Sequence, residues 1–520
     1  MMQIIKALYK ALMFTTLVLT TNLYSDEPVE EIVVKGKVLY SDQVTALKTP
    51  TAIIDVPQSL SIITDEEIRK QGIRELGDIV RYTPGVNTSQ GEGHRDSVVF
   101  RGVRSTADFY QDGARDDVQY YRSLYNVDQV EVLRGPNALL FGRGGTGGII
   151  NRVSKKAQIG ETFGSFDIGA DDFGAFDFAA DYNTTGDSTA LRINIHSDQL
   201  ENHRDSYDGD RTGFNPTLRI QMSDATTLDL SYEYVDHERF IDRGIPTLNG
   251  KPYEPLKDVV FGTSAVNYQT AEADIFRATM TTDYSETSKG IFSVTSSEFE
   301  KLYQNLYAQR YDAADNTANT VRVDGYRDPT ERENLIVSAN LVNELQIGNT
   351  THTILFGAEL IDTDNKNERY DSYFSTTGTD REVFNIPSSM SGTLDISTNS
   401  AGVATVLDFT SDLNRRTASE IEVTSVYFQD QIELSDNLLV LLGGRLDQFD
   451  ITVDDVKAGT SQSREDDEFS PRAGVIFKPQ ENVSLYYSYS ESFLPRSGEQ
   501  YKKLTASAAA LDPDVYQSSE

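Results

Sequence analysis

The chain contains no cysteine, which excludes disulfides and thiolate metal sites. Histidine is scarce. The five, at 94, 196, 203, 237 and 352, show no H-E-x-x-H spacing, and no G-x-S-x-G occurs, so the common zinc-enzyme and hydrolase patterns find no foothold. Hydrophobic residues make up only 38% of the 520, and no run reaches the 18 apolar residues that a membrane-spanning helix needs. Positive charge is also short: 47 Lys and Arg stand against 81 Asp and Glu, and a net charge of −34 argues against binding to nucleic-acid phosphate.

Aromatic residues, by contrast, are abundant, with 27 Tyr and 24 Phe. Low hydropathy with many aromatics fits a barrel that shows apolar groups to lipid on alternate positions and polar groups to a lumen on the others, and it fits a soluble all-β protein too. The length predicts two or more domains. Residues 1–25 carry Lys6 and Lys10, then the apolar stretch Ala11 to Thr21, then polar residues, the layout of a secretory signal peptide. Any integral membrane part must then be a barrel.

From Phe163 the apolar period is two. Leu191, Ile193 and Ile195 alternate with Arg192, Asn194 and His196; Leu228, Leu230, Tyr232 and Tyr234 alternate with Asp229, Ser231 and Glu233. Such alternation sets one face on apolar surroundings and the other on water. Connections alternate as well. Short ones near 183–189, 223–226, 286–289, 348–351, 435–437 and 480–482 trade places with long ones near 199–212, 237–273, 302–332, 362–420 and 453–467. Short turns on one rim and long loops on the other are the outer-membrane pattern. About 13 strands are expected between 162 and 492, each some ten residues long.

Upstream, residues 126–156 read NVDQVEVLRGPNALLFGRGGTGGIINRVSKK. Residues 142–147 match G-x-G-x-x-G, a dinucleotide fingerprint only where a strand leads in and a helix follows. Here a Gly-Pro break leads in and extended Ile149 to Val153 follows. Taken with Thr83-Pro84-Gly85-Val86, Arg101-Gly102 and Asp112-Gly113, the stretch resembles the plug signature of TonB-dependent outer-membrane siderophore receptors. Arg134, Gly135, Pro136, Gly142, Gly147, Gly148 and Asn151 carry that likeness.

The resemblance implies an N-terminal α/β plug domain inside a transmembrane antiparallel β-barrel. It divides the chain into a signal peptide (1–25), an extension (26–47), a plug (48–158) and a barrel region (160–520). Plugged transporters of this kind have about 22 strands, so about 13 is an incomplete set, and the chain as given is expected not to close an inserted barrel. Within the plug, a strand over 57–64, a helix capped by Asp65 running to Arg69, a helix near 73–82 and strands over 98–103, 109–111, 129–133 and 149–153 are expected. Glu30, Glu31, Ile32, Val33, Val34, Lys35 and Gly36 resemble the TonB box, a β-prone heptad suited to adding to a partner's sheet edge. The resemblance further implies an outer-membrane monomer in a Gram-negative bacterium. TonB, with ExbB and ExbD, would supply energy from the periplasm, and catalysis, resident metal or cofactor would have no part, the iron arriving inside the siderophore.

Charges nearly balance within 48–158, and arginines gather near its loops. His94, Arg95, Arg104, Asp108, Arg115, Tyr120, Tyr121 and Arg122 are the candidate ligand contacts at the plug apex. Arginine suits a ferric siderophore because its planar fork bonds carboxylate or catecholate oxygens, and tyrosine can stack on aromatic chelating groups. Any of these side chains could equally be salt-bridged to the barrel wall or packed as ordinary core. The segments GEGHRD and YQDGARDD resemble those of catecholate receptors. Alternatives are a receptor of the same class for cobalamin or a glycan, or a non-transporting β-rich surface protein.

Overall fold

The computed structural model describes residues 45–89, 91–204, 206–311 and 319–520. The signal-like segment 1–25 and the heptad Glu30 to Gly36 lie outside the described residues.

Eight short strands build the plug: β1 (Leu60–Thr64), β2 (Val86–Thr88), β3 (Val98–Phe100), β4 (Val103–Ser105), β5 (Phe109–Gln111), β6 (Ala114–Arg115), β7 (Val127–Arg134) and β8 (Gly148–Ser154). Their main sheet has the order β1-β7-β8-β5-β6, with β5 parallel to β8, and β2-β3-β4 forms a second, three-stranded sheet. Helices α1 (Asp65–Lys70) and α2 (Leu76–Arg81) bury Ile68, Ile79 and Val80 against Phe100, Val130, Val132 and Ile150. At α1 the cap is Thr64 rather than the expected Asp65. Thr64 Oγ1 accepts from Glu67 N–H while Glu67 Oε2 accepts from Thr64 N–H, so two free amides are satisfied reciprocally. Asp65 sits in the first turn, where its charge complements the helix dipole.

The stretch 98–103, expected as one strand, is instead a hairpin. Arg101 and Gly102 both have positive φ (46° and 92°), which a two-residue turn between twisted strands requires. Asp112 and Gly113 (51° and 80°) make the same kind of turn between β5 and β6. Gly113 N–H donates to Asn151 Oδ1 and Ser154 N–H to Asp112 Oδ1, so signature residues distant in sequence lock one another.

Long antiparallel strands follow as a single wall, each beside its chain neighbour: Phe163–Ala170, Phe176–Thr185, Thr189–Glu201, Asp208–Ser223, Thr226–Phe240, Tyr268–Ser285, Ser288–Arg310, Thr330–Ile347, Thr350–Phe374, Leu407–Ser435, Leu438–Asp455, Thr460–Gln480 and Val483–Leu494. The shorter Thr320–Arg327, Arg381–Asn385 and Asp514–Ser519 bring this sheet to 16 strands. Every expected strand is present, but the longest exceed expectation by more than ten residues. Much of what reads as loop in 302–332 and 362–420 continues the alternation as strand, as in the run 350–374 paired with 407–435.

The wall is inside-out compared with a soluble sheet. Phe166, Ile168, Phe356, Leu360, Val426, Phe428, Leu446, Phe469 and Leu485 are exposed on its outer face. Arg192, Asn194, Asn215, Glu233, Arg277, Glu359, Gln429 and Arg445 are buried on the face toward the plug. Plug and wall belong to one compact unit, Ser41–Glu520. Plug side chains also fill the space left at wall glycines: a Cβ on Gly443 would stand 2.5 Å from Leu139 Cδ1 of the plug.

Among the loops beyond the wall, Asp258–Val260 pairs in parallel with Ser391–Thr393. Leu256, Val259, Phe261, Leu306, Val323, Phe374, Phe384 and Leu394 form a separate apolar core beneath this contact.

Gly148 (φ 151°) has Leu133 O only 2.5 Å from where a Cβ would lie, whereas Gly113 has open space around it. Gly148→Ala is therefore expected to destabilise the plug by about 2–4 kcal/mol through strain and overpacking, against about 1 kcal/mol for Gly113→Ala. Denaturant unfolding in detergent, followed by protease sensitivity of the plug, checks the difference.

Candidate functional site at the long-loop rim

Plug loops 89–97 and 115–125 rise toward the rim that carries the long connections 241–267, 375–406 and 495–513. Gly93 would bring a Cβ within 3.1 Å of Asp242 O, and Tyr303 OH donates to Glu92 O. Gln500 Nε2 donates to Asp117 O and Tyr501 OH to Asp117 Oδ2.

Most sequence-predicted apex residues are turned inward. Arg122 is buried: its Nε lies 2.8 Å from Asp116 Oδ2, its Nη2 donates to the carbonyls of Asp116 and Val118, and its guanidinium lies 4.1 Å over the Phe109 ring. Arg152 Nη2 meets the same Asp116 oxygen at 2.7 Å. Burial alone would raise the Asp116 carboxyl, but Arg122 and Arg152 outweigh it and hold it below the ordinary range. Asp96, which accepts from Arg122 N–H, is pushed up to about 6 by burial despite that arginine. Arg115 donates to Tyr110 OH and to the carbonyls of Phe141 and Arg143. Asp108 accepts from Gly145 N–H at 2.6 Å, and burial with Glu499 nearby pushes it up to about 6.

Tyr120 donates to Asp116 Oδ2 and packs on Phe299 of the wall, Tyr121 lies under the Arg239 guanidinium at 3.9 Å, and Tyr125 stacks on His196. Arg104 is exposed on its hairpin strand, within reach of Ser89 Oγ. Of the eight, His94 and Arg95 belong to the cluster described next, and the charge of Arg115 acts on its Asp117. His94 stacks on Tyr303 with ring centroids 3.7 Å apart, and burial, with Lys301 beside it, keeps its imidazole neutral. Arg95 Nη1 bonds Glu92 Oε2 at 2.8 Å.

That cluster comes mainly from the wall and was not singled out in the sequence. Arg243 bonds Tyr303 OH and Asn305 Oδ1 and lies 4.6 Å over the Tyr307 ring. Arg369 lies 3.9 Å over the Tyr326 ring and pairs with Asp328 at 2.6 Å. Lys502 and Arg415 approach the same carboxylate at 3.2 and 3.9 Å, with Lys301 close by. Arg332 pairs with Asp117. Six cations (Arg95, Arg243, Arg332, Arg369, Arg415, Lys502) thus pair with three carboxylates (Glu92, Asp117, Asp328). The side chains of Arg243, Arg369, Arg415 and Lys502 keep 17%, 31%, 22% and 18% of their surface open. A surplus of forked cations among tyrosine rings can take an anion and stack on flat, electron-rich groups. Each cation sits on its own strand or loop, so sequence spacing gives no sign of it. The one local cue is Tyr303 and Tyr307, two residues either side of Asn305 and hence on one strand face.

Comparison with known proteins places these features in context. The TonB-dependent receptor plug domain family matches residues 52–149, and the TonB-dependent receptor-like β-barrel family matches 109–515. The chain is 26% identical over 517 aligned residues to the probable TonB-dependent siderophore receptor PiuA of Acinetobacter baumannii, covering 92% of this chain and 67% of that protein. It is 29% identical over 242 residues to the catecholate siderophore receptor Fiu of Escherichia coli, covering 44% of this chain and 31% of Fiu. The crystal structure of PiuA superposes with a TM-score of 0.80 at 25% identity, over 92% of this chain and 71% of that one. The closed form of Fiu superposes with a TM-score of 0.78 at 20% identity, over 92% and 73%. The chain thus spans about two thirds of PiuA's length and less of Fiu's in sequence.

Removing Arg122 leaves Asp96 and part of Asp116 without a cation, so Arg122→Ala is expected to destabilise the plug by about 3–5 kcal/mol, while Arg104→Ala shifts it by less than about 0.5 kcal/mol. Chemical unfolding of both variants checks this. For Asp108 the folded pKa, about 6, lies above the ordinary aspartate value. The folded state therefore takes up a proton there that the unfolded chain does not hold, which adds stability as pH falls from 7 to 5; Asp108→Asn should remove that share of the gain and leave the one from Asp96.

Proposed function

Since this chain belongs to the TonB-dependent receptor family, we propose that it captures ferric siderophores outside the cell and passes them to the periplasm across the outer membrane. The observation that carries the reading is the cation and tyrosine cluster at the long-loop rim, where, in a chain of net charge −34, cations outnumber the carboxylates they pair with beside His94 and Arg95. Steering and binding of an anionic chelate need such a focus. Arginine forks beside tyrosine rings suit catecholate chelators, whose oxygens are charged and whose rings are flat. Cobalamin and neutral glycans have no use for the surplus charge.

The receptor works in this reading as a monomer, with a closed barrel in lipid. Ligand occupancy at the rim is felt by the plug through the contacts of loops 89–97 and 115–125. The heptad Glu30 to Gly36 then serves as the TonB box. TonB, energised by ExbB and ExbD, draws on it and the plug yields. The protein's own residues bind and release; bond chemistry has no part.

Uptake of radiolabelled ferric catecholate by iron-starved cells carrying the gene tests the substrate class. Arg243→Ala and Arg369→Ala are each expected to weaken binding about tenfold, the equivalent of roughly 1.4 kcal/mol, with a steeper loss at high salt for the parent than for the variants. Uptake of a different nutrient in place of the catecholate, with binding insensitive to both substitutions, would reject the assignment.

A further inference from the structure

At the other end of the plug, near the short-turn rim, a cavity of about 190 Å³ lies between plug and wall. On the wall side it is lined by hydroxyls such as Thr217, Ser231, Thr279 and Ser293, with the charged Asp229, Arg277 and Glu359 and a few aliphatic side chains between them, and on the plug side by the Asp112-Gly113 turn and Lys155. Thr45, Ala46 and Lys48 complete its lining. These three belong to the stretch that follows residues 1–44 and crosses from plug to wall.

The stretch is fastened at few points. Thr45 N–H donates to Glu131 Oε1 at 2.6 Å and Ala46 N–H to Glu131 Oε2 at 2.9 Å, while Lys48 Nζ donates to the wall's Tyr427 OH at 2.9 Å. Ala46 and Leu47 press into the core of Leu133, Leu140, Ile149 and Leu355. Glu131 is completely buried within β7, and its remaining bonds come from Gln129 and the signature Asn151. A carboxylate whose oxygens take two successive backbone amides holds a chain segment without holding any particular side chain, so it lets go as a unit when the segment is drawn away.

We propose that residues 45–48 are a strap closing a hydroxyl-lined passage between plug and wall, and that Glu131 is its catch. Traction on the residues that precede the strap removes both amide bonds at Glu131 and the Lys48 contact at Tyr427. The cavity then joins the short-turn rim, and a hydrophilic chelate leaves along the wall's serine and threonine side chains while the main plug sheet stays folded. The proposal rests on the transport reading above, but its test needs no siderophore, so the two fail separately.

These 520 residues hold no cysteine, so a single one introduced among them reports without interference once any cysteine outside them is replaced by serine. In the full receptor purified in detergent, Ala46→Cys should react slowly with a hydrophilic thiol reagent. Adding Glu131→Ala should accelerate labelling at least tenfold. Glu131→Gln, which keeps one acceptor oxygen and the shape of the side chain, should fall between, and it serves alone if the alanine variant does not fold. In planar bilayers with potassium chloride, the Glu131 variants should open ion-conducting events several times more often than the parent. Alkylating Thr279→Cys in the cavity with a bulky reagent should suppress those events. Equal labelling of Ala46→Cys with and without Glu131 would remove the catch, and conduction indifferent to the Thr279 adduct would remove the passage.

Discussion

A wall whose apolar side chains point outward leaves mostly polar groups to grip whatever sits inside it. Arg445 shows the pattern. Completely buried, it bonds Glu359, Asp447 and Ser425 on the wall, and its Nη2 would stand 2.9 Å from a Cβ on the plug's Gly142. Arg332 reaching Asp117 and Arg239 reaching Glu75 repeat it. Unpaired, each of these charges would be very unfavourable, and paired they return only a modest net gain. Directional bonds thus position the plug alongside local apolar contacts, such as Leu140 near Leu355 and Val118 near Val235.

That distinction bears on how such a body can move. Apolar interfaces lose their stabilisation in proportion to the surface exposed, whereas hydrogen bonds to a hydrated lumen can be exchanged for bonds to water with little change in free energy. The plug's own apolar centre, around Phe100, Val130 and Ile150, is sealed by β7 and β8 and does not depend on the wall. Internal cohesion thus rests on a core without wall residues, while attachment to the wall combines polar bonds with smaller apolar contacts.

The strands and their inside-out alternation were legible in the sequence because a period of two survives any detail of packing: Leu191 and Ile195 outward, Arg192 and Asn194 inward. Asp112-Gly113 carries a hairpin-turn signal in its own sequence, whereas the turn at Arg101-Gly102 was hidden, since positive φ at an arginine leaves no mark in composition. The fate of the apex arginines was hidden for a related reason. Whether Arg122 meets solvent or two aspartates depends on how loops 89–97 and 115–125 fold onto each other, a tertiary matter. The rim cations were the least visible, because Arg243, Arg369 and Lys502 become neighbours only after wall register brings distant segments to the same height.

The parallel join between Asp258–Val260 and Ser391–Thr393, with its own apolar core, has one more implication. Connections that would otherwise wave in solvent are already folded against each other before anything arrives. In the proposed role, little ordering entropy then remains to be lost on capture, which favours selection at the mouth by rigid shape over slow accommodation.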